Sequence, residues 1–127
     1  MEITFLVGLI ILGLYWLSNA YGHTKNHAGM ANYAASKSIL MPKVAVVGTG
    51  VLLLIGGLSM VTGYYPAVGI VVLVIFLLGV TFTMHTFWKE TEPMMKMNQQ
   101  IQFNKNLALL GALLMMVAIS QPWMWSL

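Results

Sequence analysis

All six lysines of this chain fall in two of its polar gaps, Lys25, Lys37 and Lys43 in one and Lys89, Lys96 and Lys105 in the other. The two ends and the middle turn carry none, and the chain has no arginine. Long apolar runs separate these gaps. A chain crossing a bilayer four times puts its first and third loops on one side, and cationic residues collect in cytoplasmic loops. The predicted fold class is therefore all-α: an integral membrane four-helix bundle with loops one and three cytoplasmic and both termini outside. Soluble domains carry about a quarter charged residues. Here 7% of 127 residues are charged and 59% are hydrophobic, too few polar side chains to cover a globule facing water. One membrane domain, residues 1–127, accounts for the whole chain, and a multi-pass protein of the plasma membrane is expected.

The spans are predicted at about 3–21, 44–62, 67–87 and 101–121. Each is about the length of the hydrocarbon core at about 1.5 Å per residue. Pro42 precedes the second span and Gly63 follows it, a start and a stop in the expected order. The third begins after a tight connection, Gly63 to Pro66. The strictly apolar part of the fourth is short, and its helix is expected to grow from Pro93, a favourable first helical residue, and to end at Pro122. Tyr64, Tyr65, Trp123 and Trp125 are assigned to the outer interface, and Tyr21, Phe87 and Trp88 to the inner one. The long first loop holds helix-forming residues without proline, which predicts a short interfacial helix over 28–40. Met1-Glu2 has no basic region and the first apolar run is too long for a leader, so no cleaved signal peptide is expected. Gly48, Gly50, Gly56, Gly57, Gly69 and Gly79, with Ala108 and Ala112, supply small surfaces where helices meet.

Several chemistries are excluded. With no cysteine there are no disulfides, thiolate-held clusters or thiol nucleophiles, and with no aspartate the usual carboxylate pair is missing. The absence of arginine argues against a nucleic-acid surface. His23 and His27, at i and i+4, would clamp a metal only with a third ligand that the chain does not offer. A haem between one of them and His85 is no better supported, and Met94, Met95 and Met97 read as an apolar face. No metal and no haem is expected.

The remaining polar residues gather at one depth. Tyr15 and Asn19 are one turn apart, as are Thr81 and His85, so each pair lines one helix face. Asn19, Lys25, Asn104, Lys105 and Asn106 join the histidines at the inner surface. An ionisable group within a span is a functional candidate. His85 is that group; its alternative is a hydrogen bond to a neighbouring helix and nothing more. A quinone suits such a cluster, because its ring carbonyls need donors, its tail needs an apolar groove, and a histidine near water can relay a proton. The chain supplies no electrons, so a partner would hold the redox centre.

Particular runs resemble a known family. Gly22-His23-Thr24-Lys25 after span one, Pro42 before span two, and Leu54-Ile55-Gly56-Gly57-Leu58 within it resemble the DoxX family of small four-helix membrane proteins. So do His85-Thr86-Phe87-Trp88 and Lys105-Asn106-Leu107-Ala108-Leu109-Leu110-Gly111. The resemblance implies a four-helix bundle associated with membrane oxidoreductase systems, including a subunit of thiosulfate:quinone oxidoreductase. It marks Lys25, Lys105 and Asn106 as motif positions, with His85 nearby. The chain departs from the family where Leu53 replaces a frequent Glu, and where Tyr64 and Tyr65 stand in place of a frequent Arg. The expected function is a membrane subunit that binds or presents quinone at the cytoplasmic face. Its site residues are Tyr15, Asn19, Lys25, His85, Lys105 and Asn106, with His85 as proton relay. The alternative is a non-catalytic accessory subunit of a larger complex. Expected partners are the lipid bilayer and other membrane subunits or further copies of the chain.

Overall fold

The structure, a computed structural model, describes residues 2–119 and Trp123. The described residues form helices and no strand: α1 (Glu2–Lys25), α2 (His27–Ser36), α3 (Pro42–Thr62), α4 (Pro66–Met84) and α5 (Pro93–Met116), with a 3₁₀ turn at Phe87–Lys89 before α5. Three helices are long and apolar enough to cross a membrane, those beginning at Ile3, Pro42 and Pro66. At 24 residues α5 matches them in length. Its first fourteen residues, Pro93 to Asn106, are too polar for it to count among the three.

Local chemistry sets the helix ends. Proline opens α3, α4 and α5, where its missing N–H costs nothing. Glu92 caps α5, its carboxylate accepting from Met94 N at 3.1 Å and Met95 N at 2.7 Å. Gly63 closes α3 at φ 75°, a left-handed conformation that favours glycine. The Ser59 hydroxyl donates to the carbonyls of Tyr64 and Tyr65, at 2.6 and 3.1 Å, and staples the tight α3–α4 connection.

Four boundaries differ from expectation. Helix α1 runs on to Lys25, because nothing between Tyr21 and Lys25 breaks it. The interfacial helix stops at Ser36, and the chain turns at Ser38 with φ 61°. Helix α4 ends at Met84 rather than 87, so His85 follows the helix and does not lie within it. There Phe87 and Trp88 turn back onto Phe103 of α5, with ring centroids 5.3 and 5.7 Å away. Regular α5 begins at Pro93 and ends at Met116, five residues short of 121. The expected stop at Pro122 and the interfacial position of Trp125 lie outside the described residues.

Helix α1 packs on α3, α3 on α4, and α4 on α5, while α2 lies against α3. The first and last helices share at most a marginal contact, so the bundle has one loose seam. Leu53, Met60, Leu73, Leu77 and Leu113 fill the centre, all buried. Large apolar side chains such as Val47, Val51, Val71, Ile75 and Leu114 point outward and are exposed, as a lipid-facing surface requires. Glycine permits the close α1–α3–α4 packing. A Cβ on Gly56 would strike Leu73, one on Gly13 would strike Val61, and one on Gly57 would come 2.9 Å from the Leu17 side chain. Gly48 and Gly79, also expected at helix contacts, face open space.

Candidate functional site

The polar stripe of α5 is the starting point. Gln99, Asn106 and Leu113 recur every seven residues, and all three are buried. Gln99 and Asn106 are the two buried amides of this helix, whereas Asn98, Gln100 and Asn104 are exposed with Met94, Met97, Ile101 and Met115. Of the three stripe residues, Asn106 borders a space along the loose α1–α5 seam. It is a cavity of about 910 Å³, walled by Leu52 and Val46 of α3, Phe76, Leu77 and Val80 of α4, and Met30 and Ala34 of α2.

Five of the six expected site residues line this cavity: Tyr15, Asn19, His85, Lys105 and Asn106. Asn19 Nδ2 donates to the Tyr15 carbonyl at 2.8 Å. Lys105 reaches across the seam, its Nζ 5.9 Å from the Tyr15 ring centre, and donates to Gln102 Oε1 at 2.7 Å. Asn106 is 5% exposed, so its amide belongs to the cavity wall and not to the outer surface. Lys25 does not line the cavity. It sits exposed at the end of α1 with its Nζ 5.8 Å from the Tyr21 ring centre, because the helix carries it a turn and a half past Asn19.

His85 does contact its neighbours as its structural alternative anticipated, and it lines the cavity as well. Its Nδ1 lies 2.8 Å from Gln99 Oε1, the Gln99 amide N–H donates to the Tyr33 hydroxyl, and that hydroxyl donates to the Met84 carbonyl at 3.4 Å. Tyr33 and Gln99 were not expected. The seven-residue spacing of Gln99 and Asn106 was the available signal for one of them, and nothing marked Tyr33. His23 also lines the cavity, its Nδ1 2.9 Å from the Asn19 carbonyl and its ring edge-on to Phe76. Gly50 makes room for it, since a Cβ there would come 3.1 Å from His23 Cβ. His27 is exposed, outside the cavity, and bonded to the Thr24 carbonyl at 3.0 Å.

Two further features bear on chemistry. Trp16 lines the cavity, is 1% exposed, and its indole N–H has no partner among the described residues. Lys37 and Glu90 pair at 2.5 Å and tie the end of α2 to the segment before α5. With both side chains partly covered, the pair contributes on the order of 1 kcal/mol. Among the described residues no three histidine or carboxylate side chains converge as a metal site would need. Leu53, where the DoxX resemblance anticipates a Glu, is fully buried in the apolar core.

A family model, DoxX, matches residues 3–86, and the chain belongs to the DoxX family. The matched region takes in α1 to α4 and His85, and it stops short of α5. No curated protein and no solved structure matches the chain.

Proposed function

We propose that this DoxX-family membrane protein is a quinone-binding subunit of a membrane oxidoreductase complex. In this reading α5 makes a fourth crossing, both termini lie outside, and the cavity sits at the cytoplasmic end. The observation that carries it is the cavity itself: apolar walls of tail-accommodating size, ending in His23, His85, Lys105, Asn106 and Tyr15. The unpaired Trp16 N–H and the inward Asn106 amide suit a ligand carrying oxygen atoms into an apolar space. Asn106, Lys105 and Tyr15 would hold the ring oxygens, and Leu52, Phe76 and Val80 the tail. A bound quinone would supply two-electron carrier chemistry. His85 would exchange protons with the cytoplasmic surface, and a partner subunit would carry the electron donor. Lys25, standing off the cavity, serves as an interfacial anchor.

Titrating the full chain in detergent with decylbenzoquinone is the direct test, and saturable binding is expected. Lys105→Met should weaken it by about five- to tenfold, the worth of one hydrogen bond, whereas His85→Ala, which removes the proton relay, should leave it nearly unchanged. His85→Ala should instead lower quinone-dependent turnover of the parent complex while the subunit stays assembled. Absence of saturable binding of both decylbenzoquinone and its hydroquinone to the wild-type chain sinks this reading.

The topology has its own support in the Lys37–Glu90 pair, which joins the segments before α3 and before α5, and in the Tyr33–Gln99 contact, which joins α2 to the first half of α5. A membrane-impermeant amine reagent applied outside intact cells should therefore leave Lys37 and Lys96 unlabelled until the cells are opened. Labelling before lysis would invert the arrangement.

An accessory role without quinone chemistry draws its support from Leu53, since this chain buries an alkyl group where the DoxX resemblance anticipates a carboxylate. In that role the cavity would hold structural lipid, and the benzoquinone titration separates the two readings.

A further inference from the structure

The hydrogen bonds behind the two cavity histidines have a direction, and the direction constrains the ligand. A backbone carbonyl can only accept. The Met84 carbonyl, among the last of α4, therefore takes the Tyr33 proton. The Tyr33 oxygen is then left to accept, and it accepts from the Gln99 amide N–H. That turns the Gln99 carbonyl toward His85, so the imidazole proton resides on Nδ1. In this sense every proton along the relay has an acceptor. With the Gln99 amide reversed, Tyr33 would have one proton for two carbonyl oxygens.

His23 reaches the same state by a shorter route. Its Nδ1 faces the Asn19 backbone carbonyl directly, so it too carries the proton. In a neutral imidazole the other nitrogen is then an acceptor. Both rings line the cavity. In both rings Nδ1 is taken by its partner and Nε2 has no hydrogen-bond partner among the described residues, so Nε2 is the nitrogen each ring leaves for a ligand. The residues lining the cavity thus offer two unpartnered imidazole Nε2 acceptors alongside the donors of Lys105 and Trp16. A carbonyl ligand can use only the donors. A hydroxyl both donates and accepts, and can use the full set.

We infer that the cavity selects a ligand bearing phenolic hydroxyl groups, donated to Nε2 of His85 and His23, with Gln99 and Tyr33 as positioning residues that hold the His85 tautomer. The inference rests on the quinone reading above and deepens it, because the preferred form is then the hydroquinone.

The test uses the full chain in detergent with a redox-inert pair of probes, 4-decylphenol and 4-decylanisole, which differ by a methyl cap on the oxygen. The wild-type chain should bind the phenol about tenfold more tightly, a difference of about 1.4 kcal/mol. Nitrogen-15 NMR of histidine-labelled protein, with His85 assigned by the loss of its signals in His85→Ala, should show a pyrrole-type Nδ1 and a pyridine-type Nε2 at His85. Tyr33→Phe should remove most of the preference and mix the His85 tautomers while leaving helix content unchanged. If that variant does not fold, the wild-type tautomer and probe ratio decide. Equal affinity for the two probes, binding of neither, a protonated Nε2 in the neutral ring, or an unchanged preference in Tyr33→Phe would overturn the inference. Decylbenzoquinone binding without a phenol preference defeats this inference and spares the quinone reading. A phenol preference without binding of decylbenzoquinone or its hydroquinone does the reverse.

Discussion

Thr49→Trp is expected to lower affinity for decylbenzoquinone by about a hundredfold, equivalent to about 2.7 kcal/mol. Thr49 stands on α3 and lines the cavity, and its hydroxyl is spent on its own helix, on the Ala45 and Val46 carbonyls at 2.7 and 3.1 Å. Removing it therefore strands no partner elsewhere. The indole that replaces it has a cavity of about 910 Å³ to enter, so the bundle need not spread to admit it. What it takes away is the room a ligand ring and the start of a tail would use. The variant should keep the melting temperature of the wild-type chain within a few degrees and lose the titration signal. If affinity stays unchanged in a folded Thr49→Trp protein, quinone does not bind between α1 and α5.

The second large effect concerns the helix seam. Gly56→Leu should destabilise the bundle by about 3 kcal/mol, the upper end of overpacking costs. The first added carbon already collides with the branched end of Leu73, which is fully buried and has nowhere to move. Neighbouring Gly57 is pressed against Leu17 of α1, so α3 cannot retreat from α4 without losing its other contact. Thermal unfolding in detergent reads the loss. Pairing the change with Leu73→Ala, which returns the volume, should recover a substantial part of it. Gly48→Leu, made where a Cβ meets nothing within 4 Å, should leave stability near the wild-type value. No recovery in the double variant, or an equal loss at Gly48, would mean that the α3–α4 approach is not what Gly56 secures.

These two changes act in one frame, because the close packing that glycine allows along α1, α3 and α4 leaves the looser α1–α5 side for the cavity. The tight side needs small residues, and the loose side needs polar groups that find partners once a ligand is seated. Asn106 of α5, which lines the cavity, is placed for that second role, whereas Gln99 is already bonded to His85 and Tyr33.

Much of this was legible in the residues alone. The apolar runs identify the three helices able to cross a membrane, and Pro42 and Pro66 set the starts of α3 and α4, because a proline at the first turn and a run of apolar residues act locally. The i, i+4 pairing of Tyr15 with Asn19 put two cavity residues on one face before any contact was known. Pairing of Thr81 with His85 was less informative, since α4 ends between them and Phe87 and Trp88 leave the helix for Phe103. Lys25 shared the depth of the cluster but not its direction. Depth follows from position along a helix, whereas direction depends on which neighbour the helix face meets.

Hydropathy and helix periodicity thus determined three of the four expected spans, since both depend on spacing along one chain, while the fourth is too polar in its first part to count with them. Only the tertiary structure decided that α1 and α5 stand apart around a cavity, that Tyr33 and Gln99 reach His85, and that Lys37 pairs with Glu90. Those contacts join residues 14 to 66 positions apart. Nothing local selects such partners; they are fixed by which helix faces can approach closely and which buried polar atoms must be satisfied once they do.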